Sequence, residues 1–334
     1  MSDVSVVIPH WNREDLLERV LVSLAAQSDP PREVLVIDNG STDGSARCAN
    51  RHGARFIELG SNLGFSRAVN EGWKIAKSRW VLVLNNDVLL EPGFLSALCN
   101  AAEARNAWFA VPCLLDARDL MRLDGTFDLI CRGATAWRAG HGQALQGRWL
   151  HDGPAWFPPL TAALVRRDIF EQVGGLDEQF GSYLEDVDFG LRCALAGFNG
   201  VYVPAARATH LGSATLGDWN PRKVRLISRN QALLVAKHYP NWWIFSYGWP
   251  VLVAQLLWGL VALRHGTGLA WLRGKLAAIR PCRQARRRRI PADPEKLAVL
   301  LSQSERQIRL LLPQKSGAYW KTYFRLAGRE RDLR

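Results

Sequence analysis

Three carboxylates crowd into four positions at Glu185, Asp186 and Asp188, inside the segment YLEDVDFGLR from Tyr183 to Arg192. Like charges this close are costly unless a helix N-terminus, a metal or hydrogen bonds relieve them. Glu185 and Asp188 stand three apart and can share one helix face. Asp186 then points elsewhere and could face the cleft. The plainer role is stabilisation of a helix start. Asp87 ends the run VLVLNND. A hard cation such as Mg²⁺ or Mn²⁺ takes one or two carboxylates plus phosphate oxygens, so Asp87 suits one, although a turn Asp reads the same. His210 follows a short apolar strand, and imidazole can join such a site. Asp38 ends a β-branched run. It could accept from a base N–H or a ribose hydroxyl, or cap the helix that starts near Ser41.

The elements that must position these groups alternate. Val4 to Pro9, Val34 to Asp38, Ala54 to Leu59 and Trp80 to Leu84 are short apolar, β-branched runs that predict strands. Helices are predicted between them. The first, Arg13 to Gln27, is capped by Asn12 and carries the stripe Leu16, Leu17, Val20, Leu21 and Leu24. Ser41 and Asp43 open the second, and Phe65 to Lys77 is the third. This alternation implies an α/β fold with a mostly parallel sheet flanked by helices. Residues 106–159 predict extra strands and long loops. Leu160 to Val165 and Val201 to Val203 read as strands. Arg167 to Val173, Glu185 to Ala196 and Ser228 to His238 read as helices, with Gly174, Gly197 and Pro240 as stops. Open α/β sheets bind ligands at the carboxyl ends of their strands. PHWN, DNGSTDGS and NNDV follow three predicted strands and would share that edge. Turn chemistry explains any one such loop; three in register favour a site.

Six segments together resemble the family 2 glycosyltransferases: VSVVIPHWN (Val4 to Asn12), VLVIDNGSTDGS (Val34 to Ser45), NLGFSRAVNEGW (Asn62 to Trp73), VLVLNNDV (Val81 to Val88), VGGLDEQFGSYLEDVDFGLR (Val173 to Arg192) and THLGS (Thr209 to Ser213). They run in the family's order over residues 4 to 240, and the NNDV form is most similar to the bacterial rhamnosyltransferase-like branch. The resemblance implies the GT-A fold and an inverting hexosyl or deoxyhexosyl transfer. The donor would be a nucleotide-diphosphate sugar, dTDP-L-rhamnose first, and the acceptor a hydroxyl of a cell-envelope glycan, polysaccharide or lipid-linked glycan. It places Pro9, Asn12, Asp38 and Arg67 around the base and ribose, with Asn86 also toward the donor and Arg229 toward the diphosphate. It makes Asp87 and His210 ligands of a divalent metal, Mg²⁺ or Mn²⁺. Asp186 becomes the general base and Glu185 its orienting partner or an acceptor contact. Asn85 stands where many members carry a first Asp, which leaves one carboxylate in the metal motif.

The 334 residues carry a formal charge of +12, concentrated after Arg264 and including the run Arg286 to Arg289. Such a bias suggests an anionic partner. The basic run lacks interleaved stacking aromatics and no recognition motif is present, so nucleic acid is not expected. Six scattered Cys without C-x-x-C spacing predict reduced, mostly buried thiols rather than zinc or a redox pair. No basic-then-apolar leader precedes Val4, so no signal peptide is expected. Two domains follow, a catalytic one over residues 1–240 and a helical, membrane-associating region over 241–334. Trp242 to Leu263 has no charged residue and is about long enough to span a bilayer. Pro250, Gln255 and several Trp make it a poor simple span. Gly268 to Arg280 mixes Leu, Trp and Ile with Arg and Lys as an interfacial helix does. The expectation is a peripheral or re-entrant attachment to an anionic membrane on its cytoplasmic side, with packing on the catalytic domain or a dimer contact as the competing reading. A non-catalytic nucleotide-sugar binder and a sugar-phosphate nucleotidyltransferase are the competing functions. The latter should carry a Gly- and Arg-rich loop where PHWN stands, and the EDVD block speaks against the former.

Overall fold

The computed structural model describes residues 2–212, 219–245, 247–288, 292–313 and 317–328. Ser213 of the THLGS block and Arg289 of the basic run lie outside them. The chain forms two compact units. One comprises Met1–Asp128 and Gly140–Ala214, the other Leu129–Ala139 and Thr215–Arg334.

The first unit is built on a ten-stranded sheet. Its strands are β1 (Ser2–His10), β2 (Pro31–Asp38), β3 (Arg55–Glu58), β4 (Trp80–Leu84), β5 (Val88–Leu90), β6 (Phe109–Asp116) and β7 (Asp119–Gly125). After a short ribbon, β8 (Asp128–Ile130) with β9 (Ala136–Arg138), come β10 (Gly153–Ala155), β11 (Ala162–Arg166) and β12 (Gly200–His210). The order is β10-β12-β6-β11-β4-β1-β2-β3, with β5 added on β12 and β7 on β6. The sheet is mixed rather than mostly parallel. β3, β2, β1 and β4 are parallel. β11 then runs antiparallel to both β4 and β6. Pairing direction depends on how a long connection returns, which periodicity does not encode.

Helices cover both faces of the parallel half. α1 (Glu14–Ala25), α2 (Ser45–Arg51), α3 (Phe65–Ile75) and α4 (Phe94–Ala104) precede α5 (Arg167–Val173) and α6 (Glu185–Leu195). Leu17, Val20, Leu21 and Leu24 of α1 pack with Val4, Val6 and Ile8 of β1 and with Phe94 and Leu98 of α4. Each such side chain contributes about 2 kcal/mol on burial. On the other face α3 approaches so closely that a Cβ at Gly72 would sit 2.2 Å from Val7 Cγ1. Trp73, Phe170 and Phe189 stack in series there, with centroids 5.4 and 5.0 Å apart. β1 is therefore buried along almost its whole length, with the apolar run Val6 to Pro9 at its centre, as a strand covered on both faces must be.

Three local expectations are corrected. α1 does not use Asn12 as its cap: Arg13 occupies that position with φ 66° and no side-chain cap. α2 starts at Ser45 rather than near Ser41. β12 continues past Val203 to His210 after an irregularity between Val203 and Arg207.

The second unit is helical: α7 (Pro221–His238), α8 (Gly248–Arg264), α9 (Gly268–Arg288), α10 (Pro294–Leu311) and α11 (Ala318–Leu326). α7 begins about two turns before the expected Ser228, because Asn220 caps it and Pro221 takes the first helical position. Residues 129–139 belong to this unit. Arg132 and Glu305 form a buried ion pair at 2.9 Å, and Tyr323 Oη donates to Glu305 at 3.1 Å. Gly133 N donates to Tyr323 Oη at 3.0 Å. Among the described residues no helix is long and apolar enough to cross a membrane. All six Cys are free thiols, four of them buried.

Candidate functional site

β4, β1 and β2 are parallel neighbours, so their carboxyl ends open on one edge. The register sets His10 beside Asp38. Pro9 is buried in β1 opposite Ile37. The loops after β1 and β2 are tied together there. Asp38 accepts from the backbone N–H of Gly40 at 3.0 Å and of Ser41 at 2.8 Å, and from the Ser41 hydroxyl. Ser41 Oγ in turn accepts from Asn12 N at 2.7 Å. Asn12 Oδ1 accepts from Thr42 N at 3.0 Å, which is why it is not free to cap α1. Asp43 takes that role, accepting from Glu14 N at 2.9 Å. Asn12 and Arg13 both have positive φ, 51° and 66°, a conformation that costs non-glycine residues energy unless its surroundings hold it.

His10 links this loop pair to the turn after β4. Its Nε2 lies 2.7 Å from Ser45 Oγ and its Nδ1 2.9 Å from Asn86 Nδ2. The Ser45 hydroxyl donates to Asp43 at 2.5 Å, so it accepts from His10. That assigns the proton to Nε2 and leaves Nδ1 to accept from the Asn86 amide. The Asn86 carbonyl is thereby turned away from His10. Burial pushes the His10 pKa down to about 4, against the pull of Asp38 and Asp43, so the imidazole is neutral.

Asp87 and His210 meet through the pairing of β5 with β12, in which His210 lies opposite Val88 and Leu211 N donates to Asp87 O at 2.9 Å. His210 Nε2 is 3.4 Å from Asp87 Oδ1, and its Nδ1 is 2.9 Å from Asp124 Oδ2 on β7. Burial alone would lower the His210 pKa. Hydrogen bonding and charge from Asp124 and Asp87 overcome it and raise the pKa to about 9. Asp87 Oδ1 is buried without a hydrogen bond of good geometry. Among the described residues no group of three or more His, Cys, Asp or Glu is placed to hold a metal ion.

The carboxylate cluster begins α6. Tyr183 and Leu184 immediately before it both have positive φ, 70° and 66°. Two adjacent non-glycine residues in this region store strain of about 1–3 kcal/mol each, a pattern concentrated at working sites. Glu185 and Asp188 are buried, and Asp188 pairs with Arg192 at 3.0 Å. Asp186 is half-buried and accepts from Val187 N at 2.8 Å. The loop before α6 packs on the start of α3, where Ser66 N donates to Gly181 O at 3.1 Å. Arg67 is engaged there with Glu71 at 3.1 Å and Glu178 at 3.3 Å.

Of the residues singled out in the sequence, Pro9, Asn12, Asp38 and Asn86 are thus gathered at the strand ends through His10 and Ser41, and Asp87 meets His210. Arg67 sits with the α6 approach. Arg229 stands on α7 in the second unit and donates to Asn230 Oδ1 at 2.7 Å. Sequence reasoning passed over His10, Ser45 and Asp124. His10 carried a signal, a titratable ring at a strand end; Asp124 lies 86 positions from His210 and carried none.

Residues 5–174 match the model of glycosyl transferase family 2. The chain is 30% identical over 284 residues to the N-acetylglucosaminyl-diphospho-decaprenol L-rhamnosyltransferase of Mycobacterium tuberculosis, covering 75% of this chain and 89% of that protein. Its fold is similar to that of TarS from S. aureus, with TM-score 0.51 and 17% identity. It is also similar to that of GalNAc-T7 solved with UDP, GalNAc and Mn²⁺, with TM-score 0.56 and 14% identity. Each likeness covers 76% of this chain, and 43% and 51% of those two structures.

Proposed function

Because the chain belongs to glycosyl transferase family 2, we propose that it transfers L-rhamnose from a dTDP-linked donor to a hydroxyl of a lipid-linked or polysaccharide acceptor, with inversion. The carrying observation is the Asp87–His210 pair at the carboxyl edge of the sheet. A buried carboxylate oxygen without a hydrogen bond faces an imidazole nitrogen, and an oxygen-plus-imidazole set suits Mg²⁺ or Mn²⁺ when diphosphate oxygens complete the shell. Asp87 and His210 would hold the ion, which supplies charge neutralisation for the departing nucleoside diphosphate. The similarity to the mycobacterial rhamnosyltransferase supports the sugar and a lipid-diphosphate-linked acceptor.

The chain's own residues divide the remaining work. Asp124 accepts from His210 Nδ1–H and so presents Nε2 toward Asp87. Asp38, Asn12 and Asn86 face the nucleoside, with Asn86 oriented by His10. Asp186 takes the acceptor hydroxyl's proton as the new bond forms. One displacement with one base inverts the anomeric carbon, by the logic of single-step glycosidases. Glu185 beside it orients the base.

Purified protein offered dTDP-L-rhamnose and UDP-hexoses with Mg²⁺ or Mn²⁺, read by mass spectrometry, tests this. Transfer or slow hydrolysis should be seen with dTDP-L-rhamnose and should vanish in EDTA. Turnover only with a UDP-hexose would overturn the donor; full activity in EDTA would overturn the metal.

A further inference from the structure

We infer that the second unit is a docking surface for an anionic lipid bilayer, which it meets from the side rather than spans. α8 is divided lengthwise. Val253, Ala254 and Ala262 are buried, and Gly259 lies so close to Trp271 of α9 that a Cβ there would be 2.8 Å from the indole. The opposite side carries Leu252, Leu256, Leu260 and Leu263 at spacings of four, four and three, all exposed. α8 has only 17 residues, the short limit for crossing a bilayer, and among the described residues no helix is long and apolar enough to cross one.

α9 repeats the division. Ala270, Ala278 and Ala285 face inward, while Leu269, Leu272, Leu276 and Ile279 are exposed at helical spacing. Its charges share that outer side: Arg273, Arg280, Arg283 and Arg287 are exposed. At 100° per residue the apolar row and the arginine row fall on one face, apolar toward the start and cationic toward the end. Aromatic rings stand before α8 and at its start, with Trp242, Phe245 and Trp249 all exposed and Phe245 at 92%.

Charge selects the occupant. Not one Asp or Glu stands between Asp218 and Asp293. An apolar face meant for another protein is usually rimmed by mixed polar groups. Here the charged groups on α8 and α9 are all cations, which suits phosphate headgroups above an acyl layer. The end of α9 also shapes a place for such a headgroup. Arg283, Arg286 and Arg287 line an open groove of about 600 Å³ together with Ala232, Val235 and Ala236.

Sedimentation of the full-length protein with phosphatidylcholine vesicles, with and without phosphatidylglycerol, tests the surface. The protein should co-sediment with the anionic vesicles, weakly with the neutral ones, and less as salt rises. Leu272→Asp with Leu276→Asp should weaken binding roughly tenfold or more, as should Arg283→Gln with Arg287→Gln. All four side chains are exposed, so thermal unfolding should be unchanged. Leu120→Asp on β7, equally exposed, should bind like the wild type. Failure to bind anionic vesicles, or variants that bind as tightly as the wild type, would overturn the proposal. So would a stable dimer that the Leu272→Asp, Leu276→Asp pair dissolves, since the face would then be a subunit contact.

Discussion

Lowering the pH should destabilise this protein well before its carboxylates are reached, through His10. The ring is 1% exposed, and burial holds its pKa near 4 instead of 6.5. In the unfolded chain it titrates normally. Below pH 6.5 the unfolded chain therefore binds a proton that the folded chain refuses. Stability contributed by neutral His10 is fully present above pH 6.5 and is lost as pH falls toward 4. At about 1.36 kcal/mol per pH unit the whole loss is about 3 kcal/mol, and by pH 5 it is about 2 kcal/mol. Asp116 and His210 act outside the window from 6.5 to 5. Asp116, held by Arg118 down to about 2, acts at lower pH. His210, raised to about 9, acts the other way and higher: its contribution is complete below 6.5 and lost as pH rises through 9. The assay is urea unfolding at several pH values in EDTA, for the wild type and His10→Gln. The variant should show a flatter line from 6.5 to 5, and weaker donor binding because Asn86 loses its anchor. A wild-type stability that does not change across that window, or an equal slope in the variant, would refute the assignment of a neutral, buried imidazole.

Asp186→Asn should lower turnover by about 10²- to 10⁴-fold with little change in donor affinity, and near-normal turnover would remove Asp186 as base. Asp124→Ala should weaken Mn²⁺ binding by about 10- to 100-fold in a titration of free Mn²⁺, because His210 loses the group that fixes its ring; an unchanged affinity would confine Asp124 to a structural role. Glu305→Ala removes the carboxylate that pairs with the buried Arg132 and should cost about 3–5 kcal/mol in urea unfolding. A loss under 1 kcal/mol would mean that water reaches the guanidinium.

What the sequence showed of this molecule was mostly what is local. The apolar runs at Val4, Val34 and Trp80 mark parallel strands, and the polar loops after them do share one edge. The stripe of α1 is buried as its spacing demands. Errors arose where a polar side chain had a distant competitor. Asn12 has the right type and place for a cap, but Thr42 N, thirty residues on, claims its carbonyl. Asp124 and His210 are neighbours only because β7 and β12 both flank β6. The Asn220–Pro221 start of α7 was readable by ordinary capping rules and was passed over in favour of the later hydrophobic spacing. The direction of β11 was not readable at all, since an antiparallel strand covered on both faces is as apolar as a parallel one.

The Arg132–Glu305 contact bears on how the chain is made as well as how it stands. The two residues are 173 apart in sequence, and Glu305 is also held by Tyr323 further on. At about 5–20 residues per second, a ribosome delivers Arg132 roughly ten to thirty seconds before its partner. During that interval residues 129–139 have nowhere to bury a guanidinium, and the second unit cannot close. Its assembly therefore lags that of the first unit. A premature stop after β12 and before Glu305 would leave a finished sheet carrying a ribbon whose Arg132 lacks the Glu305 carboxylate.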